Sequence, residues 1–291
     1  MTGPDEPCVL ITGSSSGIGL STAILAAQRG YRVVATMRDL KRADALREAA
    51  QAAGVTVDVR QLDVTDEASI TQCMRATVAA HGRLDVVVNN AGYAGSAPTI
   101  EQCEMSQYRR AFDVNFFGTV AVTKAAMPHL RSSSGRVITV GSTRGVIAQP
   151  FNEAYSAAKF ATEGFFEALA PTAAHMGVTV TMVEPGPVLG TAFAANAGET
   201  AETITQRSGP YTPILQSYLD WFASTDHPDV QTADEIAEII VDTAQSPSPP
   251  FRVLTSPWAR EFAGRKLVDP SGANVIAMTS AWLAPHGGAQ A

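Results

Sequence analysis

The sequence predicts a doubly wound, three-layer α/β/α fold, with one parallel sheet and helices on both of its faces. Three observations predict it. Short apolar runs alternate with helix-periodic segments along most of the 291 residues. The first run ends in a glycine-rich turn, Thr12-Gly13-Ser14-Ser15-Ser16-Gly17-Ile18-Gly19, and a helical pattern follows at once. Polar residues gather just beyond later runs, at Asn89-Asn90-Ala91-Gly92 and at Ser142, on the edge where such sheets hold ligands.

In order, Cys8–Thr12 is strand one, and residues 18–29 form a helix that stops before Gly30. Strand two is 32–36, and Asp39 reads as the cap of a helix running to about residue 53. Residues 55–61 alternate as strand three, and 66–81 form a helix ended by Gly82. Strand four is 84–89. A long helix covers 106–131, with Pro128 as a kink or boundary near its end. Strand five is 136–140, a helix covers 152–176, and strand six is 178–184. Thr232-Ala233-Asp234-Glu235 is a capping box before the apolar face Ile236, Ile239 and Ile240. Residues 251–254 make a seventh strand. The rhythm breaks at 187–228. There Tyr211, Leu215, Leu219 and Phe222 share one helix face and read as a lid over a substrate. The chain, 1–291, is therefore one domain, with the lid at 187–228 and a C-terminal extension at 246–291.

Composition excludes some functions. The net charge is −7 and the isoelectric point about 5.2, which argues against nucleic-acid binding. Cys8, Cys73 and Cys103 are far apart and odd in number, so they read as buried thiols in a reducing compartment. The five histidines lack metal-ligand spacing. The first residues are polar and acidic, unlike a signal peptide, and no apolar run approaches the roughly 18 residues of a membrane span. A soluble, cytoplasmic protein with no membrane partner is expected.

The glycines of the first turn are spaced four and then two apart, unlike the commonest dinucleotide fingerprint. The physics is shared: glycines let the backbone approach a pyrophosphate, and a helix N-terminus offers free N–H groups. At the end of strand two, Met37-Arg38-Asp39 leaves two options. An acid favours a free ribose 2′-hydroxyl and an arginine favours a 2′-phosphate. With Asp39 as a cap, Arg38 faces the phosphate, helped by Ser16 and by Lys41 or Arg42. Asp63, followed by Val64, either meets the adenine amino group or serves only a turn. Asn115 interrupts an apolar stretch of helix (Phe112, Val114, Phe116, Phe117) and needs a partner. Lys159 lies four residues after Tyr155, on the same helix face. An ammonium beside a phenol favours the phenolate, so the pair predicts proton exchange with an alcohol or ketone. Ser142, thirteen residues upstream of Tyr155, sits on the same sheet edge.

Together, the glycine turn, Asn89-Asn90-Ala91-Gly92, Asn115, Ser142, Tyr155-x-x-x-Lys159 and Pro185-Gly186 resemble the short-chain dehydrogenase/reductase superfamily. The match narrows at Ala35-Thr36-Met37-Arg38-Asp39-Leu40-Lys41, Pro150-Phe151-Asn152, Lys159-Phe160, Gly186-Pro187-Val188 and Asp269-Pro270-Ser271-Gly272-Ala273-Asn274, with Ala277-Met278. These resemble the estradiol-type 17β-hydroxysteroid dehydrogenases and the retinol dehydrogenases.

The resemblance implies a Rossmann-type fold and an NADP(H)-dependent oxidoreductase that interconverts a hydrophobic ketone or aldehyde with its alcohol. It implies that Tyr155 is the general acid or base, that Lys159 supports it and holds the nicotinamide ribose, that Ser142 binds the substrate oxygen, and that Asn115 supports a water-linked proton path. The implied cofactor set is Thr12, Gly13, Ser15, Ser16, Gly17, Ile18, Gly19, Arg38, Asp63, Val64, Asn90, Ala91, Gly92, Tyr155, Lys159, Pro185, Gly186, Val188 and Thr191. Three departures stand out. Thr191 is five residues beyond Gly186 rather than four, residues 187–226 hold no histidine, and Thr279, Ser280 and Ala281 stand where relatives carry an acid. Steroid specificity is therefore not carried over. Alternatives are a 3-oxoacyl-thioester reductase with the same machinery and a non-catalytic NADP-sensing regulator; the intact set of four argues against the regulator. In many relatives the helices that correspond to those of Asn115 and Tyr155 pair into dimers, so the resemblance implies a homodimer or homotetramer.

Overall fold

The structure, a computed structural model, describes residues 6–95, 99–189, 204–206, 208–224 and 229–281. The chain runs β1 (Cys8–Thr12), α1 (Gly17–Gln28), β2 (Arg32–Met37), α2 (Asp44–Ala53), β3 (Asp58–Gln61), α3 (Glu67–His81) and β4 (Val86–Asn89). It continues through α4 (Met105–Phe112), α5 (Thr119–Ser133), β5 (Arg136–Val140), α6 (Glu153–His175), β6 (Thr179–Glu184) and β7 (Val188–Leu189). Next come α7 (Thr212–Ser224), β8 (Gln231–Thr232), α8 (Ala233–Gln245), β9 (Arg252–Leu254), α9 (Pro257–Gly264) and α10 (Ala273–Ala281).

Seven strands form one parallel sheet in the order β3-β2-β1-β4-β5-β6-β9. The order reverses direction between β1 and β4, so a crevice opens beyond their C-terminal ends. Alternate residues of each strand point to opposite faces. Leu10, Val34, Val87, Val137 and Met182 meet Ile70 and Met74 of α3, Val122 and Leu130 of α5, and Phe166 of α6. Val9, Ile11, Val33, Val86, Ile138 and Val183 meet Ala23 of α1, Leu46 of α2, and Ile236 and Ile240 of α8. The single α/β domain and its three layers are as the sequence predicts. The capping box also forms: Glu235 Oε2 accepts the Thr232 amide at 2.7 Å, and Thr232 Oγ1 accepts the Glu235 amide at 3.2 Å.

Four elements differ from expectation. The second helix starts only at Asp44, because Asp39 caps a separate 3₁₀ turn, Leu40–Arg42. Strand three begins at Asp58, not 55, because the Val55 amide closes helix α2 on the Ala50 carbonyl at 3.0 Å, with Gly54 left-handed at φ +67°. Strand four begins at Val86, because Asp85 serves β1 through its carboxylate, accepting the Cys8 amide at 2.7 Å. The long helix is not uniform. Between α4 and α5 lies a π-helical turn, Asp113–Gly118, and Pro128 sits inside α5 without ending it. On and just before α7, Leu215 is buried, Tyr211 and Leu219 are half-buried, and Ile214 off that face is exposed. No helix among the described residues is long and apolar enough to cross a membrane.

Candidate active site

Beyond Thr12 the chain turns through Gly13, at φ +72°, where a β-carbon would lie 2.8 Å from Ala91 Cα. At Gly19 a β-carbon would overlap the Asn90 amide nitrogen and the Gly13 carbonyl. Thr12 is buried, and its Oγ1 accepts the amides of Asn90 at 2.9 Å and Ala91 at 3.0 Å. Asn90 Nδ2 donates to the carbonyls of Thr12 at 2.8 Å and Gly13 at 3.1 Å. Thr12 and Asn90 thus brace the loop from beneath, and Ser15, Ser16, Gly17 and Ile18 stay half-buried at its rim. Ser16 occupies the N-cap position of α1 but makes no side-chain cap. Among the described residues the first-turn N–H groups of α1 have no side-chain acceptor, which suits an anionic diphosphate.

Arg38 follows β2 and is exposed. Its carbonyl accepts Gln61 Nε2 at 3.1 Å, while its guanidinium makes no hydrogen bond or ion pair among the described residues. Asp39 is engaged as a cap: its Oδ1 accepts the Lys41 amide at 3.0 Å, over a short 3₁₀ turn, Leu40–Arg42, that precedes α2. Asp63 Oδ1 accepts both the amide (2.9 Å) and the hydroxyl (2.7 Å) of Thr65, so it does serve a turn, and its other oxygen makes no hydrogen bond among the described residues. Val64 fills the space beside Gly118, where a β-carbon would lie 2.8 Å from Val64 Cγ2. Gly92 is exposed beyond β4.

Asn115 lies in the π-helical turn and is buried. The partner its amide needs is the backbone of Tyr93: Oδ1 accepts the Tyr93 amide and Nδ2 donates to the Tyr93 carbonyl, both at 2.8 Å. The Asn115 carbonyl accepts the hydroxyls of Thr119 and Thr162, each at 3.0 Å. Its link to the helix of Lys159 therefore runs through the main chain rather than the side chain.

Ser142 caps a short turn, Thr143–Gly145, with its Oγ accepting the Arg144 amide at 3.2 Å, which leaves the hydroxyl hydrogen for another acceptor. Tyr155 and Lys159 are one turn apart on α6 and both buried. Lys159 Nζ lies 5.7 Å from the Tyr155 ring centroid. The Thr143 amide donates to the Pro185 carbonyl at 3.0 Å, which joins the Ser142 loop to the Pro185-Gly186 turn. Gly186 lies against Trp258, whose ring would be 3.1 Å from a β-carbon there. Val188 opens the two-stranded β7–β8 pair. Thr191 lies outside the described residues, as do Phe193 and Arg207 and the side chains of Trp221 and Phe222. The segment around α7 makes two contacts with the rest of the chain here: Tyr211 Oη donates to Glu101 Oε1 at 2.8 Å, and the rings of Tyr218 and Phe151 lie 5.5 Å apart.

Sequence reasoning missed two features. Arg144 places its guanidinium carbon 6.0 Å from the Tyr155 ring, with Nε donating to Gln149 Oε1 at 2.8 Å and Nη1 to Asn152 Oδ1 at 3.2 Å. The cue was a cation two residues past Ser142. The second is a buried group of charges behind the site, Glu163, Glu184 and Arg252. Its cue was the continuation of the Tyr155–Lys159 stripe, at the same spacing, to Glu163 and Glu167.

The profile described as short chain dehydrogenase matches residues 7–202. The chain is 39% identical to retinol dehydrogenase 8 of Bos taurus over 275 residues, covering 91% of this chain and 86% of that one. It is 36% identical to 17-beta-hydroxysteroid dehydrogenase type 1 of Homo sapiens over 276 residues, covering 92% and 83%. Its fold is similar to the crystal structure of an actinorhodin polyketide ketoreductase variant with NADPH, at a TM-score of 0.70 and 27% identity, covering 90% and 94%. The chain belongs to the short-chain dehydrogenase family, whose members are oxidoreductases acting on alcohol and carbonyl groups.

Proposed function

We propose that this protein is an NADP(H)-dependent reductase of bulky, hydrophobic, neutral ketones or aldehydes that also runs as an alcohol dehydrogenase. The observation that carries this reading is the meeting of Ser142, Tyr155 and Lys159 at one sheet edge, beside a glycine loop and an uncapped helix N-terminus. A nicotinamide nucleotide held at this edge would supply or accept the hydride. Tyr155 gives its phenolic proton to the carbonyl oxygen, or takes it back from the alcohol. Ser142 donates its free hydroxyl hydrogen to the same oxygen and so orients it. The buried ammonium of Lys159 stabilises the charge left on the phenol.

For the nucleotide, Ser15, Ser16, Gly17 and Ile18 offer backbone N–H groups to the diphosphate, and Asp63 the oxygen left over from its turn to the adenine amino group. The guanidinium of Arg38, unpaired among the described residues and with Asp39 engaged elsewhere, favours a 2′-phosphate. The apolar inner face of the lid favours an apolar substrate. A second reading, a 3-oxoacyl-thioester reductase, is favoured by the likeness to the polyketide ketoreductase.

The test is a panel of aryl, alicyclic, long-chain and β-ketothioester carbonyls read at the NADPH absorbance, each repeated with NADH. NADPH-linked turnover of the apolar ketones is expected. Turnover confined to the thioesters would select the second reading, and none on any carbonyl would leave a nucleotide-binding regulator. Cys8, Cys73 and Cys103 are buried as thiols, which fits a cytoplasmic protein. The exposed apolar residues Ile100, Met105 and Phe117 beside α4 and α5 support a homodimer or homotetramer, to be read by light scattering on a sizing column.

A further inference from the structure

Glu184, at the end of β6, is fully buried, and its Oε2 accepts the Ser142 amide at 2.5 Å. Gly141, next to Ser142, leaves the room for this: a β-carbon there would overlap the Glu184 carboxyl. The carboxyl of Glu163 lies close enough to that of Glu184 to act on its charge. Glu163 lies one turn beyond Lys159 on α6. Arg252 of β9 grips Glu163 Oε1 through Nε at 2.7 Å and through Nη2, and the same Nη2 reaches Glu167 Oε2 at 3.4 Å. Two oxygens, Glu184 Oε1 and Glu163 Oε2, are buried with no fixed donor. Two ionised carboxylates cannot satisfy each other, but one proton between them satisfies both atoms at once.

The charges around the pair locate that proton. Arg252 is ion-paired to Glu163 and not to Glu184. Burial, followed by the charge of Glu163, pushes the Glu184 carboxyl well above the ordinary carboxylate range, against the pull of the Lys159 ammonium and the Ser142 amide. The charged groups facing the pair are Lys159 and Glu167 from α6 and Arg252 from β9, with Asp269 behind Arg252.

We propose that Glu184 is a positioning residue for the reaction: as a neutral acid it donates to Glu163 from one oxygen, accepts the Ser142 amide on the other, and thereby fixes the Ser142 hydroxyl relative to Tyr155. This rests on the carbonyl chemistry assigned above to Ser142 and Tyr155. Ionisation of Glu184 sets two anions against each other directly behind the Ser142 loop. The reaction then loses its alignment without losing any group that touches substrate.

The test uses Glu184→Gln, whose amide keeps both hydrogen bonds and cannot ionise, and Glu184→Leu, which keeps neither. Infrared difference spectroscopy of the wild type at neutral pH should show a protonated carboxyl that the Gln variant lacks. The Gln variant should hold kcat for ketone reduction within about threefold, and the Leu variant should lose at least about tenfold with NADPH affinity unchanged, the pattern of misalignment. On the alkaline side the wild type should show one ionisation that the Gln variant lacks. Absence of the carboxyl signal in an active wild type would overturn the role of Glu184 alone. So would a folded Leu variant with wild-type kcat or, if the Leu variant does not fold, a folded Gln variant that has lost at least about tenfold. A wild type inactive on every carbonyl would instead overturn the reaction itself, and with it the role.

Discussion

Lys159 donates an ammonium hydrogen to the carbonyl of Val140 at 2.8 Å. That bond ties the helix of Tyr155 and Lys159 to the end of β5, two residues before Ser142. The two groups that would handle the substrate oxygen, on different elements, are thereby held in one frame.

Tyr155→Phe keeps the ring and its packing and removes only the acid. Turnover should fall by about 10²–10⁴-fold, while NADPH binding, followed by nucleotide fluorescence, stays near the wild-type value. Retention of more than about a tenth of kcat would rule out Tyr155 as the acid.

Cofactor choice should hinge on Arg38. A charge-assisted contact with phosphate is worth about tenfold to a hundredfold in affinity. Arg38→Ala should erase most of the preference for NADPH over NADH, measured as the ratio of kcat/KM values. A wild type that uses both nucleotides equally would move the role to Asp39 and the ribose.

Gly141→Ala places a methyl group against the Glu184 carboxyl. Overpacking of this kind costs about 1–3 kcal/mol, and the loss should show in urea unfolding. Ketone turnover should fall in the same variant, since the Ser142 loop must shift to make room.

Stability should decline on both sides of a maximum. At Asp58 burial works against ionisation, but hydrogen bonds from Arg60 and His81 win and hold the carboxyl below its ordinary 3.8. Its stabilisation is present above that value and is lost as pH falls through the folded one. Glu184 acts in the opposite sense. Its stabilisation is present below the ordinary 4.5 and drains away as pH rises towards its folded value. Urea midpoints across pH should show both slopes, with Glu184→Gln flattening only the alkaline one.

Substrate rates should rise with apolar size. On α7, Leu215 is buried and Leu219 half-buried, and the proposed lid would turn this face towards the substrate. Rapid reduction of small charged keto acids, with none of aryl, alicyclic or long-chain ketones, would refute an apolar cleft.

What the sequence revealed depended on range. Strand positions and helix stops were legible because they rest on local signals: apolar runs, and glycines at 30, 54 and 82 that take left-handed φ values of 88°, 67° and 74°. The cap at Asp39 and the amide at Asn115 were legible as needs, though not their partners. Apolar spacing could not reveal the π-helical turn, since one extra residue within a helical ladder barely disturbs it. Glu163, Glu184 and Arg252 escaped for another reason. They meet only after β6 and β9 are paired, and nothing local to any one of them names the others.

The segment that ends in Asn274 has a bearing on how the chain is made. Asp269 closes that segment by accepting the amides of Ser271 at 3.0 Å and Asn274 at 2.7 Å, and the adjoining Pro270 carbonyl receives Arg252 Nη1 at 3.2 Å. Translation proceeds from the N-terminus, and domains fold as units as they emerge. The glycine loop and first strands are complete early, but Glu163 lacks its Arg252 ion pair until residue 252 has left the ribosome. An uncompensated buried charge is costly. The newborn protein should therefore close its interior late, and a chain truncated before Arg252 should be recognised by the cell as unfinished.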